Sequence, residues 1–249
     1  MRVFASSDLH VDFAANRRFI EDLPKGKYDN DALIVAGDIA QSLERIAATL
    51  EHLLQLFARV FYVPGNHELW RRSEEGDSLE KFHRVLELCR RLGVETEPGQ
   101  VGARWIVPLF SWYGPELDPH DRGRAEDLDR WGDFKFCRWP AGTAPAPYFR
   151  RLNQDRIRTY PGPVISFSHF LPRADLLPDV EYLRFAGLPK VAGCPRLDGQ
   201  IRAIGARVHV FGHSHIRWDE VIEGVRYVQQ GLGYPQGRRG RVYRFVEIS

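Results

Sequence analysis

"RVFYVPGNHELW", residues 59–70, reads as a strand that stops abruptly. Val60, Phe61, Tyr62 and Val63 have the β-branched and aromatic character of a buried strand, and Pro64-Gly65 then forces a turn. Asn66, His67 and Glu68 follow at once. The same succession of apolar run, small residue and chemically active side chain recurs along the chain. "RVFASSDLH" from Arg2 delivers Asp8 and His10, and "ALIVAGD" from Ala32 delivers Asp38. "PVISFSH" from Pro163 delivers His169, and "RVHVFGHSH" from Arg207 delivers His213 and His215. Further strand-length runs are "RWIVPLF" from Arg104, "VRYVQQ" from Val225 and "RVYRFVEI" from Arg241.

Helical patterns separate the early runs. Leu43, Ile46, Ala47, Leu50, Leu53, Leu54 and Phe57 fall on one stripe, with Ser42 placed to cap it. Strand, helix, strand, helix at the front implies parallel pairing. The strands from Arg207 onward follow one another closely without helices, which predicts antiparallel pairing there. Together these halves predict a layered, mixed α/β domain with two sheets, spanning 1–249. Residues 111–163 stand apart: they hold seven prolines, clustered Asp and Arg, and Trp112, Trp131 and Trp139. Long irregular segments in compact domains are commonly functional, and the aromatics oppose disorder. We read this segment as a lid or rim beside a site, inserted within the one domain.

The bulk properties narrow the class. A length of 249 residues suffices for a large core, and a net charge of +2 does not advertise a polyanion binder. The excess of arginine over lysine is read as codon bias rather than phosphate binding. Cys89, Cys137 and Cys194, odd in number and widely spaced, suggest neither a disulfide framework nor a zinc-type pair. The first strand begins at about Arg2, leaving no room for a signal peptide, and no apolar stretch approaches the roughly 20 residues of a membrane span. The expectation is a cytoplasmic enzyme.

In open α/β sheets, ligands collect beyond the carboxyl ends of the strands. Residues i and i+2 of an extended chain point to one side, so Asp8 with His10, and His213 with His215, are each expected to present two ligands to one place. Mixed imidazole and carboxylate donors suit Mn, Fe, Zn, Ni or Co better than Ca or Mg. There are too many donors for one tetrahedral ion, which points to two ions about 3.5–4 Å apart sharing a carboxylate.

Asp8-Leu9-His10, Gly37-Asp38, Gly65-Asn66-His67-Glu68, His169 and Gly212-His213-Ser214-His215 resemble the five ordered motifs of the calcineurin-like metallophosphoesterase superfamily. The resemblance implies a four-layer α/β/β/α sandwich, two mixed sheets flanked by helices. It implies that Asp8, His10, Asp38 and His215 hold one metal and that Asp38, Asn66, His169 and His213 hold a second, with Asp38 bridging. Mn or Fe is the first expectation, with Zn, Ni or Co behind. Val11 and "GDIAQ" depart from the protein serine/threonine phosphatase pattern, so the chain is most similar to the small bacterial phosphohydrolase and phosphodiesterase branch.

The implied chemistry is hydrolysis of a phosphate ester, diester ahead of monoester, by a hydroxide bridging the metals, with His67 as general acid. The alternatives are a nucleotide or small-metabolite phosphomonoesterase, a nuclease, and a protein-binding scaffold on the same fold. The expected partner is a phosphorylated small molecule or nucleotide, with no membrane; a nucleic acid is not favoured. Two roles are open for Glu68: accepting the second ring N–H of His67, or capping the helix that follows. Arg71 and Arg72 are candidates to grip a phosphate, against the alternative of a solvated helix start. Trp112 and His120 are candidate substrate contacts, against ordinary loop packing, and the glycines of "QQGLGYPQGRRG" at 229–240 are candidates to bring backbone near the site, against a plain hairpin.

Overall fold

A computed structural model of the chain describes residues 1–71, 76–237 and 243–248. The front half alternates as its composition requires: β1 (Val3–Ser6), α1 (Ala14–Glu21), β2 (Ala32–Ala36), α2 (Leu43–Leu54) and β3 (Arg59–Val63). β1 pairs with β2 and β2 with β3, both in parallel. The stripe on α2 buries Ile46, Leu50 and Leu53, and the Ser42 hydroxyl accepts the Arg45 N–H at 3.3 Å. A four-residue α3 (Asn66–Leu69) follows β3 directly, and α4 (Ser78–Leu92) comes next. Asp77 caps α4 by accepting the N–H groups of Leu79 and Glu80 at 2.8 and 2.9 Å. Gly93, in the left-handed region at φ 80°, ends it.

The second half contains β4 (Gly99–Val101), β5 (Arg104–Pro108), α5 (Gly132–Phe136), α6 (Pro145–Leu152), β6 (Val164–Phe167), α7 (Arg196–Ala203), β7 (Ala206–Phe211), β8 (Trp218–Ile222), β9 (Val225–Gln229) and β10 (Val246–Glu247). One sheet has the order β10-β1-β2-β3, the other β4-β5-β6-β7-β9-β8. Both are mixed, since β10 runs antiparallel to β1 and β8 antiparallel to β9.

The expectation of antiparallel pairing throughout the tail is corrected at one place: β7 pairs in parallel with β9. β8 and β9 form a tight hairpin through Glu223-Gly224, both at positive φ. β8 is largely exposed whereas β9 is largely buried. The apolar strand therefore takes the inner position beside β7, and the polar one becomes the edge. The run from Arg241 shortens to β10 among the described residues, and Arg241 itself lies outside them.

Three apolar clusters define the layers. Val3, Ala5, Ile34, Phe61 and Val63 of the first sheet meet Ile106, Ile165, Phe167, Val210 and Val228 of the second, so the sheets pack face to face. On the outer face of the first sheet, Leu33, Val35 and Tyr62 pack against Leu50 and Leu53 of α2 and Val85 of α4. Beyond the second sheet, Val107 and Tyr227 pack against Leu197 and Ile201 of α7. The two mixed sheets are flanked by helices, as expected. Among the described residues, no helix is long and apolar enough to cross a membrane, and the three cysteines are free.

Asp77→Ala removes the acceptor of two N–H groups at the start of a helix that packs on the first sheet. The expected loss is about 1 kcal/mol, read as a lowered midpoint in thermal or urea unfolding with an unchanged far-UV circular dichroism spectrum.

Candidate metal centre

Each predicted donor lies just past the carboxyl end of a strand. Asp8 and His10 follow β1, Asp38 follows β2, Asn66 opens α3 after β3, His169 follows β6, and His213 and His215 follow β7. Because the two sheets face each other, these ends meet along one edge of the sandwich.

The donors fall into two groups that share one carboxylate. Asp8, His10, Asp38 and His215 each offer an atom lying within 4.8 Å of the others. His10 Nε2 is 3.0 Å from His215 Nε2, and His215 Nε2 is 3.4 Å from Asp8 Oδ1. In the second group His169 Nε2 lies 3.0 Å from Asn66 Oδ1, and His213 Nδ1 lies 3.1 Å from Asn66 Oδ1 and 3.2 Å from His169 Nε2. Asp38 Oδ2 stands between the groups, 3.8 Å from His10 Nε2 and 3.6 Å from His169 Nε2. Its other oxygen accepts the backbone N–H of His67 at 3.0 Å.

The protons of the second group are assigned by its outer partners. His169 Nδ1 donates to the Ala36 carbonyl at 2.9 Å, and His213 Nε2 donates to the Val191 carbonyl at 3.0 Å. The Asn66 amide donates to Asp133 at 2.8 Å. What remains pointing inward is a lone pair on each of His169 Nε2, His213 Nδ1 and Asn66 Oδ1. Three buried lone pairs at such separations repel one another unless a cation lies among them, so this donor set fits a transition-metal ion.

The electrostatics agree. Burial holds His10, His169 and His213 below the ordinary imidazole range, which keeps them neutral and able to donate. Burial, and then the Glu68 and Asp8 carboxylates, push the Asp38 carboxyl well above its usual range. Crowded carboxylates of this kind are relieved by bound cations.

One sequence expectation about geometry is corrected. The i and i+2 pairs are not extended: Asp8, His10, Asp38, His213 and His215 have φ of 53°, 42°, 58°, 73° and 57°. These are left-handed conformations that non-glycine residues seldom adopt. Asp8 and His10 do share one group, but His213 and His215 face different groups. Convergence comes from tight loops beyond the strands, not from the strand pleat. Hydrogen bonds hold those loops: Asp8 and His10 N–H donate to the Gly37 and Asp38 carbonyls, each at 2.9 Å, and His213 N–H donates to Asp8 Oδ1 at 2.9 Å. Gly65 sits against Asp38 and His169 so closely that a Cβ there would overlap both.

The run Asn66-His67-Glu68 separates because α3 turns each side chain about 100° from the last. Glu68 faces inward and accepts four backbone N–H groups: Asp38 at 3.0 Å, Ile39 at 2.6 Å, Ala40 at 3.2 Å and Gly65 at 2.7 Å. Of the two roles open to it, capping is the one present, through Gly65, together with a hold on the neighbouring Asp38 loop. His67 faces the cavity. Its ring stacks on Trp70 with centroids 3.7 Å apart, and Nε2 lies 3.3 Å from the Tyr234 hydroxyl and 3.9 Å from Asp38 Oδ2.

Above both groups opens a cavity of about 810 Å³ whose lining includes Asp38, Asn66, His67, His213 and His215. The proposed substrate contacts fare less well. Trp112 is 4% exposed and packs on Phe149, Phe170 and Trp139 between the sheets, so its size went to the core and not to the cavity. His120 is exposed on the surface, and neither it nor Arg71 lines the cavity; the Arg71 N–H donates to the Phe136 carbonyl. Arg72 lies outside the described residues. Sequence reasoning missed Trp70, Asp133 and Tyr234. Only Tyr234 carried a signal, lying in the glycine-rich stretch after the last histidines.

A family model described as "Calcineurin-like phosphoesterase" matches residues 1–217. The chain is 31% identical over 273 residues to the [acyl-carrier-protein] phosphodiesterase PptH of Mycobacterium tuberculosis, covering 98% of this chain and 82% of that protein. The crystal structure of the phosphopantetheinyl hydrolase PptH from the same organism superposes with a TM-score of 0.82 at 25% identity, covering 99% of this chain and 95% of that one. The chain belongs to the calcineurin-like phosphoesterase family; it is a phosphoester hydrolase, and a dinuclear metal centre comes with the family.

Glu68→Gln turns one of the oxygens accepting these amides into a donor facing a donor. The expected loss is about 3 kcal/mol of folding stability, together with a metal affinity at least tenfold weaker by isothermal titration. A residue that merely oriented His67 would leave metal affinity unchanged.

Proposed function

We propose that this family member works as one catalytic domain on a phosphodiester that joins a phosphopantetheine-type arm to a carrier protein. The cavity carries the reading. Its floor is the shared edge of the two donor groups, and its lining also includes Trp131, Leu183, Phe185 and Ile216, with Arg184 and Arg217. A phosphate seated on that floor would lay an uncharged organic arm along the apolar wall, and the two guanidinium groups suit an acidic protein. The volume falls within the range of sites that enclose a small organic ligand. The likeness to PptH, whose name describes this same reaction on acyl carrier protein, supports the choice of diester.

In this reading Asp8, His10, Asp38 and His215 hold one ion, Asp38, Asn66, His169 and His213 the other, and Asp38 is shared. Two transition-metal ions, Mn or Fe in first place, would supply Lewis acidity and a lowered pKa for water. The residues do the rest. Asn66 gives an uncharged oxygen, so the centre keeps more of its positive charge for an anionic substrate. Trp70 fixes the plane of the His67 ring by stacking. His67 Nε2 faces the cavity and passes its proton to the departing oxygen. Burial pushes this imidazole down to about 3, and an anionic phosphate beside it would favour the charged form. Tyr234 hydrogen-bonds the same nitrogen until the leaving group replaces it.

The test uses protein stripped with chelator and reloaded with Mn²⁺, offered bis(p-nitrophenyl) phosphate, p-nitrophenyl phosphate and a phosphopantetheinylated carrier protein. The expected result is faster turnover of the diester and conversion of the carrier to its apo form by intact-mass spectrometry. Preference for the monoester, with no change in the carrier, overturns the reading. His67→Gln should lower turnover of the carrier by roughly 10²–10⁴-fold and that of p-nitrophenyl esters less, with both ions retained by elemental analysis. Loss of an ion would make His67 a ligand instead.

A further inference from the structure

The Asp133 side chain orients Asn66 of the second donor set, whereas His169 and His213 are held by backbone carbonyls. It sits at the start of α5, within the proline-rich 111–163 segment, and is 2% exposed. One oxygen accepts the Asn66 amide N–H at 2.8 Å and the Trp70 indole N–H at 2.5 Å. The other accepts the Trp131 indole N–H at 2.9 Å. Nothing but donors faces this carboxylate through those bonds, so it takes only the NH₂ end of Asn66 and commits the amide oxygen to the side where His169 and His213 lie. An unrestrained amide could turn either end to that space, and its NH₂ end repels a cation.

The same carboxylate touches two other parts of the site. Trp70 stacks on His67, and Trp131 lines the cavity, edge-on to His213 at 5.6 Å between centroids. Gly132 lets α5 approach the Trp70 indole closely, where any Cβ would collide with the ring. The segment is thus built onto α3 through buried contacts, beyond what a lid at a rim requires.

We infer that Asp133 is a positioning residue: it sets the affinity of the second metal position by fixing the Asn66 amide, and through Trp70 it holds the His67 ring. This rests on the ligand assignment above, but not on the identity of the substrate.

The experiment measures binding, not turnover. Asp133→Ala, Asp133→Asn and Asn66→Ala are stripped and titrated with Mn²⁺, following ion stoichiometry by elemental analysis and spin coupling of the ion pair by electron paramagnetic resonance. Asn66→Ala should bind one ion per chain and lose the coupled signal. Asp133→Ala should weaken the second ion by about 10–100-fold while leaving the first at wild-type affinity. Asp133→Asn keeps the shape but places one donor against a donor; it should fall between wild type and Asp133→Ala, and it carries the test if Asp133→Ala fails to fold. A folded Asp133→Asn or Asp133→Ala with a lowered melting temperature and an unchanged second-ion affinity makes the role structural and overturns the inference. Two ions retained by Asn66→Ala would remove the ligand assignment and the inference with it, whatever ester the enzyme hydrolyses.

Discussion

Four backbone N–H groups from two separate loops converge on the buried Glu68 carboxylate, and the centre depends on that convergence. The loop after β2 and the turn after β3 have no strand ladder to join them once the chain leaves the sheet. Glu68 replaces the ladder: one acidic side chain satisfies donors that burial would otherwise leave unpaired, at a cost of several kcal/mol. It thereby places Asp38 where both donor groups reach it. Asp133 does the corresponding work from the opposite side, through side-chain donors. Neither carboxylate points at the lone-pair face of the second donor set, yet each fixes a residue that does.

The left-handed backbone at Asp8, His10, Asp38, His213 and His215 has the same logic. Such conformations are tolerated only where surrounding bonds over-determine them. At Asp8, His10 and His213 the carbonyls of Gly37 and Asp38 and the Asp8 carboxylate provide those bonds, and at Asp38 the Glu68 carboxylate does. A loop in relaxed conformations would sweep its side chains apart; bending sharply at successive residues turns them back over the strand ends.

Much of this was legible in the sequence because strands and active side chains alternate along it. The apolar runs located β1, β2, β3, β5, β6, β7 and β9, and the amphipathic stripe located α2 with its Ser42 cap. β4 and β8 escaped because "GQV" and "WDEVI" are too short or too polar to stand out; both are edge strands. The candidate donors were visible because each follows a strand. Their local geometry was not, since hydrogen bonds between loops overrode the extended conformation assumed for the i, i+2 pairs. Asp133 left no trace in sequence because the residues it orients, Asn66 and Trp70, are 67 and 63 positions away. Trp112 misled in the opposite sense: a tryptophan in an irregular segment looks like a binding residue, and this one fills the space between the sheets.

The donors are contributed by two different sheets. Asp8, His10, Asp38 and Asn66 ride on β1, β2 and β3, whereas His169, His213 and His215 ride on β6 and β7. Elsewhere the faces meet chiefly through apolar contacts, which are close-packed but carry no directional bonds. A cation gripped by both sheets would act as a rivet at one edge of that interface. It would add to the backbone bonds that already join the two halves there, from Ser7 N–H to the Gln230 carbonyl and from Gly233 N–H to the Asp8 carbonyl. The metal would then serve as a mechanical element as much as a chemical one.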